Sequence, residues 1–426
     1  MKAILRYQDF DINKLRNKSN EDDQKLKNIV ADIIKHIQEQ GDKALYDLTD
    51  KFDGTNLRES GLRVSQAEIG EAYNKVDQSF LLALRQAKKN IHSYHEKQKR
   101  SSWFDTKEDG SILGQMIHPL NRVGIYVPGG TAAYPSSVLM NALPAVVAGV
   151  KEIAMVSPPS KDGTIMPEVL IAAAECGVTE IYKIGGAQAI AALAYGTETI
   201  KAVDKITGPG NIYVTSAKKQ VYGVVDIDML AGPSEILILA DKNGKPIELA
   251  ADLLSQAEHD KLASAILVSP DLKLLEETAA EVERQIRTLP RQKIARSSWN
   301  DFGAVILVKD LQEGIDLANS IAPEHFELVV KDPFSWLAKV KNAGAVFLGS
   351  STPEPIGDYF AGPDHVLPTG GTARFYSVLD VDAFIKKVSV VSYSDQALQR
   401  DADQIMLLAR REGLEAHARA IEVRKR

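Results

Sequence analysis

Glu324 and His325 are adjacent in Pro323-Glu324-His325, just ahead of the mostly apolar run Phe326-Glu327-Leu328-Val329-Val330. A carboxylate and an imidazole at a loop-to-strand edge can divide proton transfer between them, which is general acid/base chemistry. Two side chains supply no substrate or cofactor, so further groups must come from elsewhere. His259 closes the run 246–259, where Pro246 suits a first helical turn and Leu249, Leu253, Leu254 and Ala257 form an apolar face. Gln256 and His259, three residues apart, project from one side of that helix. A neutral imidazole there is a good zinc ligand and an amide oxygen a less common one, although the spacing alone is better explained by a surface helix end. The stretch 357–374 has little strand or helix pattern, and long segments of that kind are commonly functional. It presents Asp358, Asp364, His365 and Arg374, among which a carboxylate and an imidazole could complete a metal site. Near the end, Arg411-Glu412-Gly413-Leu414-Glu415-Ala416-His417 adds carboxylates and another imidazole. By itself His417 is better explained as a histidine favoured by a helix dipole.

Three Gly-rich turns stand beside candidate strand ends: Tyr126-Val127-Pro128-Gly129-Gly130-Thr131, Ile184-Gly185-Gly186-Ala187-Gln188 and Thr207-Gly208-Pro209-Gly210-Asn211. Strand ends are where open α/β sheets place their ligands. Each alone reads as an ordinary tight turn. Three in one half of the chain point to a nucleotide-like ligand with an unorthodox phosphate loop.

The elements that must position these groups follow from periodicity. Residues 25–40 carry Leu26, Ile29, Val30, Ile33, Ile34 and Ile37 on a helical stripe that Gly41 stops, and 77–99 forms a second helical pattern. The exposed face of the latter is expected to hold His92, His95 and several lysines as a solvated surface. From Arg122 the texture changes to β-rich runs at 123–126, 152–156, 180–184, 235–240, 263–268, 304–308, 327–330 and 343–348, with helical patterns between them. That alternation predicts βαβ units, parallel sheets and helices on both faces. Two sheets, divided near Gly232, suit the length better than one. From about Asp382 the chain is expected to return to helix and end in a charged tail that packs on another domain or subunit.

With 426 residues the chain suits two or three domains. The net charge of -6, from 57 acidic and 51 basic residues without a basic arm, argues against nucleic acid. The single cysteine, Cys176, excludes an internal disulfide framework and fits a reducing compartment. The start, Met1-Lys2-Ala3-Ile4-Leu5-Arg6-Tyr7, has no apolar h-region, and the longest apolar stretch, 138–150, is well short of the roughly 20 residues of a membrane span. The expectation is a soluble, cytoplasmic protein.

Taken together, the motifs resemble the histidinol dehydrogenase family. The matching segments are Tyr126-Val127-Pro128-Gly129-Gly130, Tyr134-Pro135-Ser136-Ser137-Val138-Leu139-Met140-Asn141, Gly208-Pro209-Gly210-Asn211, Ala231-Gly232-Pro233-Ser234-Glu235, Gln256-Ala257-Glu258-His259, Pro323-Glu324-His325, Gly357-Asp358-Tyr359 and Glu412-Gly413-Leu414-Glu415-Ala416-His417. The resemblance implies oxidation of L-histidinol to L-histidine through L-histidinal with two NAD+. It implies one Zn2+ per subunit on Gln256, His259, Asp358 and His417, with His325 as general base and Glu324 as the group that activates water. Substrate contacts would come from Ser234, His365 and Glu412 together with the metal-site residues and His325, and NAD contacts from Tyr126, Gln188 and Asn211. It further implies a homodimer in which each tail reaches into the partner's site.

The expected organisation is an N-terminal arm over 1–24, a Rossmann-like NAD domain over 122–232, an α/β domain carrying the zinc and substrate residues from 25–121 and 233–381, and a helical tail over 382–426. Rival readings are a related dehydrogenase acting on another small alcohol such as a sulfonated diol, a zinc hydrolase, and a non-catalytic metal-binding scaffold. The hydrolase leaves the Gly-rich turns without a purpose, and the scaffold does not explain Glu324 and His325.

Overall fold

A computed structural model describes residues 2–16, 23–129 and 133–426. Gly130 and Thr131 of the first Gly-rich turn and, in the N-terminal arm, residues 1 and 17–22 lie outside the described residues. In chain order the strands are β1 (Ile4–Arg6), β2 (Trp103–Thr106), β3 (Ile112–Pro119), β4 (Arg122–Tyr126), β5 (Glu152–Ser157), β6 (Glu180–Lys183), β7 (Lys205–Thr207) and β8 (Asp226–Ile227). They continue with β9 (Glu235–Ala240), β10 (Ser264–Ser269), β11 (Ala304–Leu307), β12 (His325–Val329), β13 (Ala345–Leu348) and β14 (Ile385–Ser392).

Two all-parallel sheets dominate the described residues, beside a small antiparallel sheet of order β14-β3-β2. The first has the order β6-β5-β4-β7-β8 and the second β1-β11-β10-β9-β12-β13. Counted from β4 and from β9, both run third, second, first, fourth, fifth, the doubly wound order whose direction reverses beside the first strand. The expected α/β architecture is thus present twice.

Side-chain alternation along each strand sends alternate residues to opposite faces. Val123, Ile125, Ile153 and Met155 face one core with helices Pro135–Ala148 and Pro167–Cys176, while Ala154, Val156 and Tyr182 face another with helices Gly186–Tyr195 and Ile212–Val221. In the second sheet Ile236, Ile238 and Leu267 pack with Leu253, Leu275 and Trp299, and Leu237, Leu239 and Phe326 pack with Ile315 and Ala318.

Two arrangements differ from expectation. The helices of residues 25–121 cover the first sheet, with helix Gln78–Glu96 also touching Phe360 and Asp364. Val30, Ile34 and Leu45 join the core of Ile190 and Val214, and Leu84 and Ile91 join that of Leu139 and Leu170. Gly41 stops its helix as expected: at φ 52, ψ -130 it is non-helical and separates two helices within Asp23–Asp53. A side chain is excluded there because a Cβ would lie 2.2 Å from a carboxylate oxygen of Glu198, which accepts the Asp42 N–H at 2.7 Å. Finally, the chain after Asp382 first forms β14, paired antiparallel with β3 along its whole length, before helix Asp395–Arg411. Ile385, Val388, Val390 and Val391 give that segment its strand propensity.

The N-terminal arm supplies β1, a parallel edge strand beside β11, and Leu15 packs in the same core as Phe326. No helix among the described residues is long and apolar enough to cross a membrane.

Trp299, fully buried, fills the space between helices Pro246–Ala257 and Gln292–Phe302 under the second sheet. Trp299→Ala should lower stability by about 3–5 kcal/mol, read from urea unfolding. At the other sheet, burial pushes the Asp53 carboxyl up to about 6, and one of its oxygens has no hydrogen-bond partner. The folded chain therefore holds a proton there that the unfolded chain has released, so stability falls as pH rises from the ordinary carboxylate range through about 6. Asp53→Asn should raise the unfolding midpoint more at pH ~7.5 than at pH ~4.5.

Candidate active site

Helix Leu311–Ile321 ends at Ala322, the one non-glycine residue with positive φ (φ 55) among those described. This left-handed turn, costly for a residue with a Cβ, reverses the chain so that Pro323 and Glu324 lead directly into β12 with His325 as its first residue. The Glu324 backbone is then held by the second sheet, its carbonyl accepting from Ala345 N–H at 2.9 Å. His325 is in register with Ile236 of β9, so the imidazole lies at the amino end of the sheet, beside the first residue of β9.

Glu235 fixes both members of the pair through its backbone. Its N–H donates to Glu324 Oε2 at 2.8 Å, and its carbonyl lies 3.1 Å from His325 Nδ1. A carbonyl can only accept, so Nδ1 carries a hydrogen whether or not the ring is charged, and Nε2 is the nitrogen that gains or loses the proton. Nε2 is buried and lies 3.4 Å from Asp358 Oδ1. The same Nδ1 hydrogen decides the Gln256 amide. Its oxygen accepts from Nδ1 at 3.1 Å while its nitrogen donates to both Glu354 oxygens at 3.1 and 3.2 Å. The reverse orientation would set the amide nitrogen against the Nδ1 hydrogen.

His325, Glu354 and Asp358 each offer a ligand atom, and these atoms lie within 4.8 Å of one another. Burial alone would depress the His325 pKa, but Glu324, Asp358 and Glu354 outweigh it and hold the imidazolium well above its ordinary range. Burial would raise Asp358, yet the His325 and His365 imidazoles hold it below the usual carboxylate range. Glu354 is pushed up to about 8, chiefly by burial. Glu327 rises well above the carboxylate range for the same reason, with Asp252 adding to it. An imidazole nitrogen, an amide and carboxylates, gathered where buried negative charge exceeds positive, make a donor set suited to a divalent cation.

His365 also joins this group, with Nδ1 2.9 Å from the Asp358 carbonyl, and burial lowers its pKa. Asp364, next to it, is buried with Oδ2 3.7 Å from Nε2 of His95. His95 is therefore not on a solvated surface. It is fully buried, its Nδ1 2.7 Å from Gln98 Oε1, and it props the loop of Asp358 from the helix Gln78–Glu96. Burial raises Asp364 well above its ordinary range and lowers His95.

The remaining expected residues fall into three places. Ser234 directly precedes β9, and its carbonyl accepts from Ser264 N–H at 3.0 Å. His259 is exposed just past the end of helix Pro246–Ala257. Glu412 and His417 are exposed on the C-terminal hairpin of helices Asp395–Arg411 and Glu415–Glu422.

Tyr126, Gln188 and Asn211 gather at the other sheet. Tyr126 closes β4, and its hydroxyl accepts the Gly186 N–H at 3.1 Å. Gln188 lies buried in the first turn of helix Gly186–Tyr195, and Asn211 caps helix Ile212–Val221 by accepting from Tyr213 and Val214 N–H. The turns after β4, β6 and β7 thus share the carboxyl edge of one sheet, two of them flanking the switch point between β4 and β7.

Glu354 and Glu327 were not singled out from the sequence. Glu327 had a signal, since it lies two residues after His325 and so shares its face of the strand. Glu354, in Pro353-Glu354-Pro355, offered only a short helix start.

The sequence profile of the histidinol dehydrogenase family matches residues 16–425. A histidinol dehydrogenase of Heliobacterium mobile is 55% identical over 424 residues, covering 100% of this chain and 99% of the relative. One from Halalkalibacterium halodurans is 58% identical over 397 residues, covering 93% of each chain. The crystal structure of histidinol dehydrogenase from Elizabethkingia anophelis superposes with a TM-score of 0.93 at 38% identity, covering 100% of this chain and 98% of that one. The doubly wound fold and this likeness over nearly the full length agree, and the chain belongs to the histidinol dehydrogenase family.

Proposed function

We propose that the chain oxidises L-histidinol to L-histidine through L-histidinal, passing two hydrides to NAD+ and using one Zn2+ per subunit. The observation that carries this reading is how His325 is held: Nδ1–H is directed at the Glu235 carbonyl, which leaves Nε2, beside Asp358, as the nitrogen that exchanges a proton. A base so fixed can accept the alcohol proton as hydride leaves carbon. Glu324, with Oε2 already holding the Glu235 N–H, keeps its other oxygen for a water. That water must add to the aldehyde before a second hydride can leave, and Glu324 takes its proton. Each turnover converts one alcohol, one water and two NAD+ into a carboxylate, two NADH and three protons.

In this reading Gln256, His259 and Asp358, with His417 from the tail, hold the metal, and Ser234, His365 and Glu412 contact the substrate. Bound there, the cation would orient the substrate's imidazole and amino nitrogens, and its charge would bring His325 back toward its ordinary pKa. Tyr126, Gln188 and Asn211 hold the cofactor at the carboxyl edge of the first sheet. The exposure of Glu412 and His417 supports a homodimer whose tails exchange. Exposed Trp103, Phe104, Val388 and Val391 on β2 and β14 give such a pair an apolar surface to bury.

Addition of L-histidinol should yield about two NADH per substrate, and chelation should abolish turnover while lowering zinc content. NADH formation with another small alcohol but none with histidinol would refute the substrate. His325→Asn should slow both oxidations by about 10²–10⁴-fold, whereas Glu324→Gln should slow mainly the second and allow the aldehyde to be trapped. A Glu324→Gln defect confined to the first oxidation would remove the division of roles. Tail exchange predicts that mixing inactive His325→Asn and His417→Asn subunits restores activity, because the mixed dimer regains one intact site. Mixtures that stay inactive after subunit exchange would show that each chain uses its own tail.

A further inference from the structure

Lys218 and Asp228 form a buried ion pair whose side chains are 3% and 1% exposed. Both reach the same residue of the cofactor turn. Asp228 Oδ2 accepts the Gly208 N–H at 2.7 Å, and Lys218 Nζ donates to the Gly208 carbonyl at 3.0 Å. Gly208 packs directly against the end of β4 and admits no side chain, since at φ +111 a Cβ would lie 2.1 Å from the Tyr126 carbonyl oxygen.

Asp228 also begins the connection 228–234 that enters the second sheet. Along it, the Ala231 carbonyl accepts from Thr215 Oγ1 at 3.4 Å, and the Gly232 N–H donates to Thr369 Oγ1 at 2.6 Å. It ends at Glu235, which holds Glu324 and His325. One continuous stretch is therefore tied at its start to the dinucleotide turn and at its end to the acid/base pair. Stability alone is a poor reason for a buried ion pair, because apolar replacements of similar volume are often as stable or more so.

We propose that Lys218 and Asp228 are positioning residues that set the cofactor turn against the base, through the connection 228–234. This rests on the reading of the Gly208 turn as part of the NAD site. Either charge removed alone leaves the other buried and unpaired, so Lys218→Met and Asp228→Asn should each lower the melting temperature. The double variant Lys218→Met/Asp228→Asn carries neither charge and should regain most of that loss. It lacks the tether to the Gly208 carbonyl, so its KM for NAD+ should stay raised by about tenfold or more, with KM for histidinol and zinc content unchanged.

Recovery of the NAD+ KM together with the melting temperature would overturn the proposal, leaving the pair a support of the fold only. So would an equal rise in both KM values in the double variant. Gln188→Ala and Asn211→Ala separate the two levels of inference. If they raise the NAD+ KM and the double variant does not, the role of the pair alone falls. If they leave it unchanged, the turn is not the cofactor site and both readings fall.

Discussion

The shortness of the connection between β8 and β9 is the constraint on which the rest of the molecule depends. It leaves the carboxyl edge of the first sheet and enters the amino edge of the second, so these two unlike edges must lie close together. An extended residue spans at most about 3.3–3.6 Å, and the hydrogen bonds at Asp228, Ala231, Gly232 and Glu235 remove most of what slack remains. Opposite kinds of strand end, one from each sheet, are thus joined by a single short segment.

The buried electrostatics around His325 follow from that meeting. Glu324, Glu327, Glu354 and Asp358 converge where water is scarce, and one imidazole cannot neutralise them all. Glu354 and Glu327 respond by retaining protons, chiefly because of burial, whereas Asp358 keeps its charge between two imidazoles. The His325, Glu354 and Asp358 donors are of the kinds that can hold a divalent cation.

Much of the fold was legible because fully buried parallel strands announce themselves as short apolar runs. Stretches such as 235–240 and 304–308 needed no tertiary information. Strand β7, inside its sheet, was missed because it is only three residues long, and the edge strands β8 and β14 because they are too short or too exposed to leave a pattern. Periodicity showed that 25–40 and 77–99 are amphipathic helices but could not say which sheet their apolar stripes cover. His95 misled for a related reason, since a histidine among lysines reads as solvated until the loop of Asp364 closes over it. In the site, Glu324 and His325 were visible through adjacency alone. Their orientation rests on the Glu235 backbone, and a peptide group of any residue type could have provided it.

The unlike edges also sort charge. In βαβ units the helices run against the strands, so the carboxyl edge of a parallel sheet receives helix N-termini and the amino edge receives helix C-termini. The turns at Gly186 and Asn211 open helices Gly186–Tyr195 and Ile212–Val221, whose partial positive poles suit pyrophosphate. Gln256 instead lies in the last turn of Pro246–Ala257, and Ala322 ends Leu311–Ile321 beside Glu324, so partial negative poles surround the imidazole. The same winding order, met once from each end, thus sets partial positive poles at one edge and partial negative poles at the other.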